Sequence, residues 1–132
     1  MSWATWKKLY YPKAAGTQWA RQHPTAHALQ KWRGLDKKTL KQHGLYREGA
    51  RLYSRRTDRQ VFCVGADTCA YCKIHATSCQ GCPLYRLLFD HCCDYVGLLD
   101  LRGPYAVFVR EGTTDAMLAL LELAAKEYPD AG

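Results

Sequence analysis

Apolar and polar positions change period several times along the chain, and the changes outline its elements. Trp3 and Trp6 are three apart and share one face of a helix that Tyr11-Pro12 interrupts. His23-Pro24 opens a second helix, with proline suited to its first turn. Leu29 and Trp32 share its apolar face, His27 and Gln30 point away, and Gly34 ends it. Asp36 then caps a short helix from Lys37 to His43, closed by Gly44, with Leu40 inward. Over 45–60 two periods compete. Arg47, Arg51 and Arg55 fit an i, i+4, i+8 helical stripe, whereas the alternation in Arg51-Leu52-Tyr53-Ser54 suits a strand. Gln60 to Val64 reads as a strand with Gly65-Ala66-Asp67 as its exit turn.

Beyond this point the pattern is again mostly helical. Pro83 starts a helix through Leu84, Leu87, Leu88 and Phe89 to His91, Cys92 and Cys93. Tyr105 to Val109 reads as a strand before the Glu111-Gly112 turn. Thr113 or Thr114 caps a helix from Asp115 to Tyr128, on which Met117, Leu121, Ala124 and Tyr128 recur at helical spacing until Pro129 stops it. The predicted class is mainly α with a small β component (α+β), a single compact domain around a central four-cysteine zinc site. Residues 1–60 form a basic, helix-rich half, 61–95 the metal-binding centre, and 96–132 the C-terminal strand and helix.

The zinc expectation rests on Cys69-Ala70-Tyr71-Cys72 and Cys79-Gln80-Gly81-Cys82. A Cys-x-x-Cys turn presents two sulfurs from one bend of backbone, and two such turns supply the four soft ligands of a closed structural zinc site. Cys69, Cys72, Cys79 and Cys82 are therefore the expected ligands, holding one ion. An iron–sulfur cluster is the minor alternative, because the spacing departs from ferredoxin runs. The seven cysteines are an odd number, and no membrane-length apolar run or apolar leader segment is present. The expected setting is a reducing cytoplasm, where disulfides are rare. Cys63 reads as a buried free thiol. His75 competes as a ligand, and Cys92 and Cys93 read as packing residues, because adjacent positions on a helix keep His91 and Cys92 from facing each other as a reactive pair.

Charge changes the picture further. Residues 1–60 hold 14 of the 19 Lys and Arg against three of the 12 acids, a net of +11, and the rest of the chain carries −4. Lys37, Lys38, Lys41, Arg47, Arg51, Arg55, Arg56 and Arg59 are the candidate contact surface for phosphate or an acidic protein. The tryptophans and tyrosines of the first twenty residues offer a stacking platform beside Lys7, Lys8 and Lys13, but core packing is the better account of them. The helices joined at Gly34-Leu35 have the outline of a helix-turn-helix. The second is too short, and it lacks base-reading polar side chains.

Lys31-Trp32-Arg33-Gly34-Leu35, His43-Gly44-Leu45 and the Cys-x-x-Cys…Cys-x-x-Cys-Pro-Leu run ending at Leu84 resemble a group of small uncharacterised proteins of tailed bacteriophages and prophages. The resemblance covers about residues 28–88 and implies a phage setting and a bound metal, with the host cytoplasm as location, and no assigned activity. Three classes of function follow. The first is a non-enzymatic, zinc-stabilised binding protein whose basic half docks on nucleic acid or a host nucleoprotein complex. The second is a stoichiometric inhibitor of a host enzyme or a defence system such as CRISPR. The third is a metal-dependent enzyme, disfavoured because four cysteines close the metal's coordination and no His-x-Glu precedes them. No membrane partner is expected.

Overall fold

A computed structural model of the chain describes residues 2–75, 79–88 and 103–130. Four helices come first: α1 (Trp3–Tyr10), α2 (Gln18–Gln22), α3 (Pro24–Trp32) and α4 (Lys37–Gln42). A meander of β1 (Leu45–Glu48), β2 (Arg51–Ser54) and β3 (Gln60–Cys63) follows. Then come a 3₁₀ turn at Ala66–Thr68, α5 (Ala70–Ile74), a second 3₁₀ turn at Cys79–Gly81, α6 (Pro83–Leu87), α7 (Pro104–Glu111) and α8 (Asp115–Glu127). This is an α+β arrangement, as the hydrophobic pattern predicts.

Helix α3 lies at the middle of the packing, against α1, α2, α5 and α8. Thr25, His27, Ala28, Lys31 and Trp32 are its buried positions. His27 therefore faces inward, contrary to the expectation from spacing. Its Nε2 donates to the Lys13 carbonyl at 2.7 Å, a partner the helical pattern alone does not contain. The N-terminal amides of α3 are capped from the far end of the chain. Asp130 accepts from Thr25 N at 3.1 Å and from Ala26 N at 3.0 Å, one bond to each carboxylate oxygen.

The aromatic residues of the first helix belong to the core. Trp6 is fully buried, stacks on Trp3 and packs on Phe62 at 5.2 Å. Its indole N–H donates to the Gly34 carbonyl at 2.7 Å. A Cβ at Gly34 would lie 2.4 Å from Tyr10 Cγ, so this glycine is required by close approach. The Lys31-to-Leu35 block thus has a packing role, since Lys31, Trp32, Gly34 and Leu35 are all buried and Arg33 alone is exposed.

The segment 45–60 resolves into strands. Leu45 pairs with Ser54, Tyr46 with Tyr53, Arg47 with Leu52 and Glu48 with Arg51, all antiparallel, and Gly49 supplies the positive φ of the tight turn between β1 and β2. Leu45, Leu52 and Phe62 put one face of the sheet on the core. The predicted strand at Tyr105–Val109 is helical. Pro104 occupies the first turn, Gly112 ends α7 in the left-handed conformation, and Tyr105, Phe108 and Val109 at i, i+3, i+4 pack on the core. An apolar run of five residues fits either period, and its proline and glycine boundaries decide it. Cys63 is exposed, not buried, because it lies at the end of β3 on the face opposite Phe62.

Candidate metal centre and basic surface

Both Cys-x-x-Cys motifs sit where backbone turns into helix. Thr68 fixes the entry to the first: its hydroxyl donates to the Cys63 carbonyl at 2.7 Å and accepts from Gly65 N at 3.2 Å. Lys73 pairs with Asp67 across the same turn at 3.7 Å. Cys69 is then the N-cap of α5 in extended conformation, and Cys72 lies within that helix. Cys82 is the N-cap of α6, ahead of Pro83. Cys69 and Cys82 are both half-buried against the core.

The Cys69 and Cys72 thiols come together, and the Cys69 thiol is lowered to about 5. The largest cause is the hydrogen bond from the Cys72 side chain. The Lys31 charge and the backbone N–H groups of Cys72 and Tyr71 act in the same direction, and desolvation by burial opposes them. Lys31 is 1% exposed, and its ammonium donates to the Thr68 carbonyl at 2.7 Å, one residue before Cys69. Tyr71, within the first motif, is buried. Desolvation by burial raises its phenol, and negative charge on Asp130, Cys82 and Cys69 adds to that, against the lowering effect of its hydrogen bond with Thr25. The His75 ring lies against the second motif, its Nδ1 3.0 Å from where a Cβ on Gly81 would be.

Among the described residues no three His, Cys, Asp or Glu side chains converge closely enough to hold a metal ion. The Cys79 side chain, and His91, Cys92 and Cys93 as whole residues, lie outside the described residues. The first motif nonetheless fits zinc in its donor chemistry. It presents two adjacent thiols, one with thiolate character, near a buried cation of the sign that offsets the charge of a zinc–thiolate centre.

The basic residues divide between two roles. Lys37, Lys38 and Lys41 are exposed on α4, and Arg51, Arg55, Arg56 and Arg59 are exposed on β2 and the turn to β3. The Arg55 amide donates to the Gly44 carbonyl at 2.8 Å, which joins the end of α4 to the start of that turn. Among the described residues, no carboxylate lies within ion-pair distance of these four arginines. Arg47 belongs to the packing. Its Nη1 donates to the Gly49 and Val109 carbonyls at 2.9 and 2.7 Å, its guanidinium lies over the Phe108 ring, and desolvation lowers its pKa. The guanidinium occupies the space above Gly112, where a Cβ would meet it at 2.7 Å.

Sequence reasoning missed two residues of the centre, Lys31 and Thr68. Lysine is among the residues least often fully buried, so nothing in the pattern marks Lys31 as interior. Among the described residues no helix is long and apolar enough to cross a membrane. No protein-family model matches the chain, and neither a curated protein sequence nor a solved structure matches it.

Proposed function

We propose that the chain is a non-enzymatic, zinc-stabilised binding protein whose basic N-terminal half docks on nucleic acid, free or within a host nucleoprotein. The observation that carries this reading is the set of seven exposed cations on α4 and the β2–β3 segment, two elements whose backbones meet at the bond from Arg55 to Gly44. Such a surface neutralises phosphates and releases their counterions, a driving force that needs no base recognition. Its arginines are held on a sheet and a tight turn, so less freedom is lost on binding than in a flexible basic tail.

The metal has a structural role in this reading. Zinc would be held by Cys69, Cys72, Cys79 and Cys82, where it supplies a cross-link between the α5 and α6 motifs. The Lys31 ammonium and the peptide N–H groups at Cys69 would offset the charge of the thiolates. The phage setting implied by the sequence blocks is consistent with a target in a host nucleoprotein.

Fluorescence anisotropy with labelled DNA and RNA, measured across a salt series, tests the reading. Association is expected to weaken linearly in log[salt], with a slope of roughly 0.9 per phosphate contact on duplex DNA. Replacing Lys37, Lys38 and Lys41 together by Gln is expected to lower both affinity and slope. Failure to bind any nucleic acid at low ionic strength would overturn the proposal.

A further inference from the structure

The core-facing side of the meander is Leu45, Arg47, Leu52 and Phe62. Alternation puts Tyr46, Glu48, Arg51, Tyr53 and Cys63 on the other side. Tyr46 and Tyr53 are direct cross-strand partners, and their rings stack with centroids 5.4 Å apart and planes 18° from parallel. The Arg55 guanidinium lies 5.7 Å from the Tyr46 ring centroid. Tyr46 donates through its hydroxyl to Asp58 at 3.0 Å, and Asp58 stands at positive φ in the turn carrying Arg55, Arg56 and Arg59. That bond ties the turn's arginines to the aromatic pair. Within residues 45–63 the acids are Asp58 and Glu48, and Arg51, Arg55, Arg56 and Arg59 outnumber them.

Neither feature suffices alone, since a stacked tyrosine pair is a common way of filling a sheet surface and an arginine turn is a common solvated one. Their combination has a chemical meaning. The flat rings offer a surface to a nucleobase, and the arginines around them offer planar forks to phosphate. In a duplex the bases are already stacked on each other and cannot reach the rings, whereas an unpaired base can extend the tyrosine stack. We infer that the outer face of this sheet is a platform for single-stranded nucleic acid, with an unpaired base on the Tyr53 end of the tyrosine stack, whose other end lies under Arg55, and backbone phosphates on Arg51, Arg55 and Arg59. The inference rests on the nucleic-acid reading above and narrows it to one face and one strandedness. Both DNA and RNA carry the required chemistry.

The test uses the full chain and three labelled probes of one sequence: single-stranded DNA, single-stranded RNA, and the DNA duplex. Tyr53→Leu and Tyr46→Leu are compared with Tyr53→Phe, which keeps the ring, and thermal melting establishes that each variant folds. The wild type is expected to bind at least one single strand more tightly than the duplex. Tyr53→Leu is expected to lose about tenfold in single-strand affinity, within the range for one stacked base, with duplex binding unchanged. Tyr53→Phe is expected to retain both. Preference for one sugar identifies the natural strand and supports the inference either way. Equal losses on single strand and duplex, or none for either leucine variant, would overturn the platform and leave the salt-dependent reading standing. Displacement of the single strand by polyglutamate at equal charge would also overturn it, in favour of a surface for acidic proteins. Absence of binding to all three probes at low salt would remove both proposals.

Discussion

The Lys31 ammonium donates to the Thr68 carbonyl at 2.7 Å from a fully buried position, which fixes the residue immediately before Cys69 to the central helix. The same nitrogen lies 5.8 Å from the centroid of its neighbour Trp32. A buried cation is held at a desolvation cost that only close partners offset, and this one is held beside the Cys69 thiol. Lys31→Met keeps most of the apolar stem and removes the charge. It is expected to destabilise the fold by about 2 kcal/mol, the scale of a charge-assisted bond whose acceptor is left behind. The urea midpoint at constant m-value measures it, and an unchanged midpoint would mean that the bond does not support the turn.

Gly34→Ala tests the crowding at the end of α3. The added carbon would sit 2.4 Å from Tyr10 Cγ and 2.9 Å from the Trp6 indole nitrogen, the group that donates to the Gly34 carbonyl. Both rings lie in a packed cluster, so the strain falls on the core. The expected loss is about 1–3 kcal/mol, with a shifted Trp6 environment in near-ultraviolet circular dichroism. Native stability with an unchanged aromatic spectrum would show that Tyr10 moves freely aside.

Much of this fold is legible in the sequence because local signals agree with tertiary packing. The Asp36 side chain caps α4 through Thr39 N, and Pro24 stands in the first turn of α3, as their positions suggest. The helix from Asp115 is found where its period places it. What the sequence conceals depends on partners distant in the chain. Lys31 is interior because the Thr68 carbonyl is there to receive it, and Arg47 leaves the basic surface because Val109 offers a carbonyl inside. Asp130 caps a helix that begins more than a hundred residues earlier. The spacing of Cys69 and Cys72 anticipates the contact of their thiols, and the packing around Cys69 adds a buried cation that spacing cannot contain.

Stability should depend on pH through His27. Burial lowers its pKa below the ordinary 6.5, the Lys31 charge contributes in the same direction, and the bond to the Lys13 carbonyl works against both. Among the described residues its Nδ1 has no hydrogen-bond partner, so an imidazolium would bury an N–H without an acceptor there. Well above pH 6.5 the ring is neutral in both folded and unfolded chains. As pH falls below that value the unfolded chain takes up the proton first. Stability is then lost progressively down through the lower, folded pKa. Melting temperatures of the wild type and His27→Gln between pH 5 and 8 isolate the effect, because the other histidines are common to both proteins. The variant is expected to show the shallower decline; parallel curves would assign the pH dependence to another group.

The metal prediction follows from the charge around Cys69. A zinc ion on four thiolates carries two net negative charges, and burying them without a cation or N–H donors nearby would be costly. Lys31 and the amides of Tyr71 and Cys72, which act on the Cys69 thiol, would supply those partners here. Purified protein is expected to contain one equivalent of zinc and to be colourless. Cys82→Ser is expected to lose that metal, and chelation of the wild type should expose the chain between the two motifs to protease. Iron with a brown absorption band would replace the structural ion by a cluster and bring electron transfer forward as the function. A metal-free protein with the same melting temperature and protease resistance would show the four-cysteine assignment to be wrong.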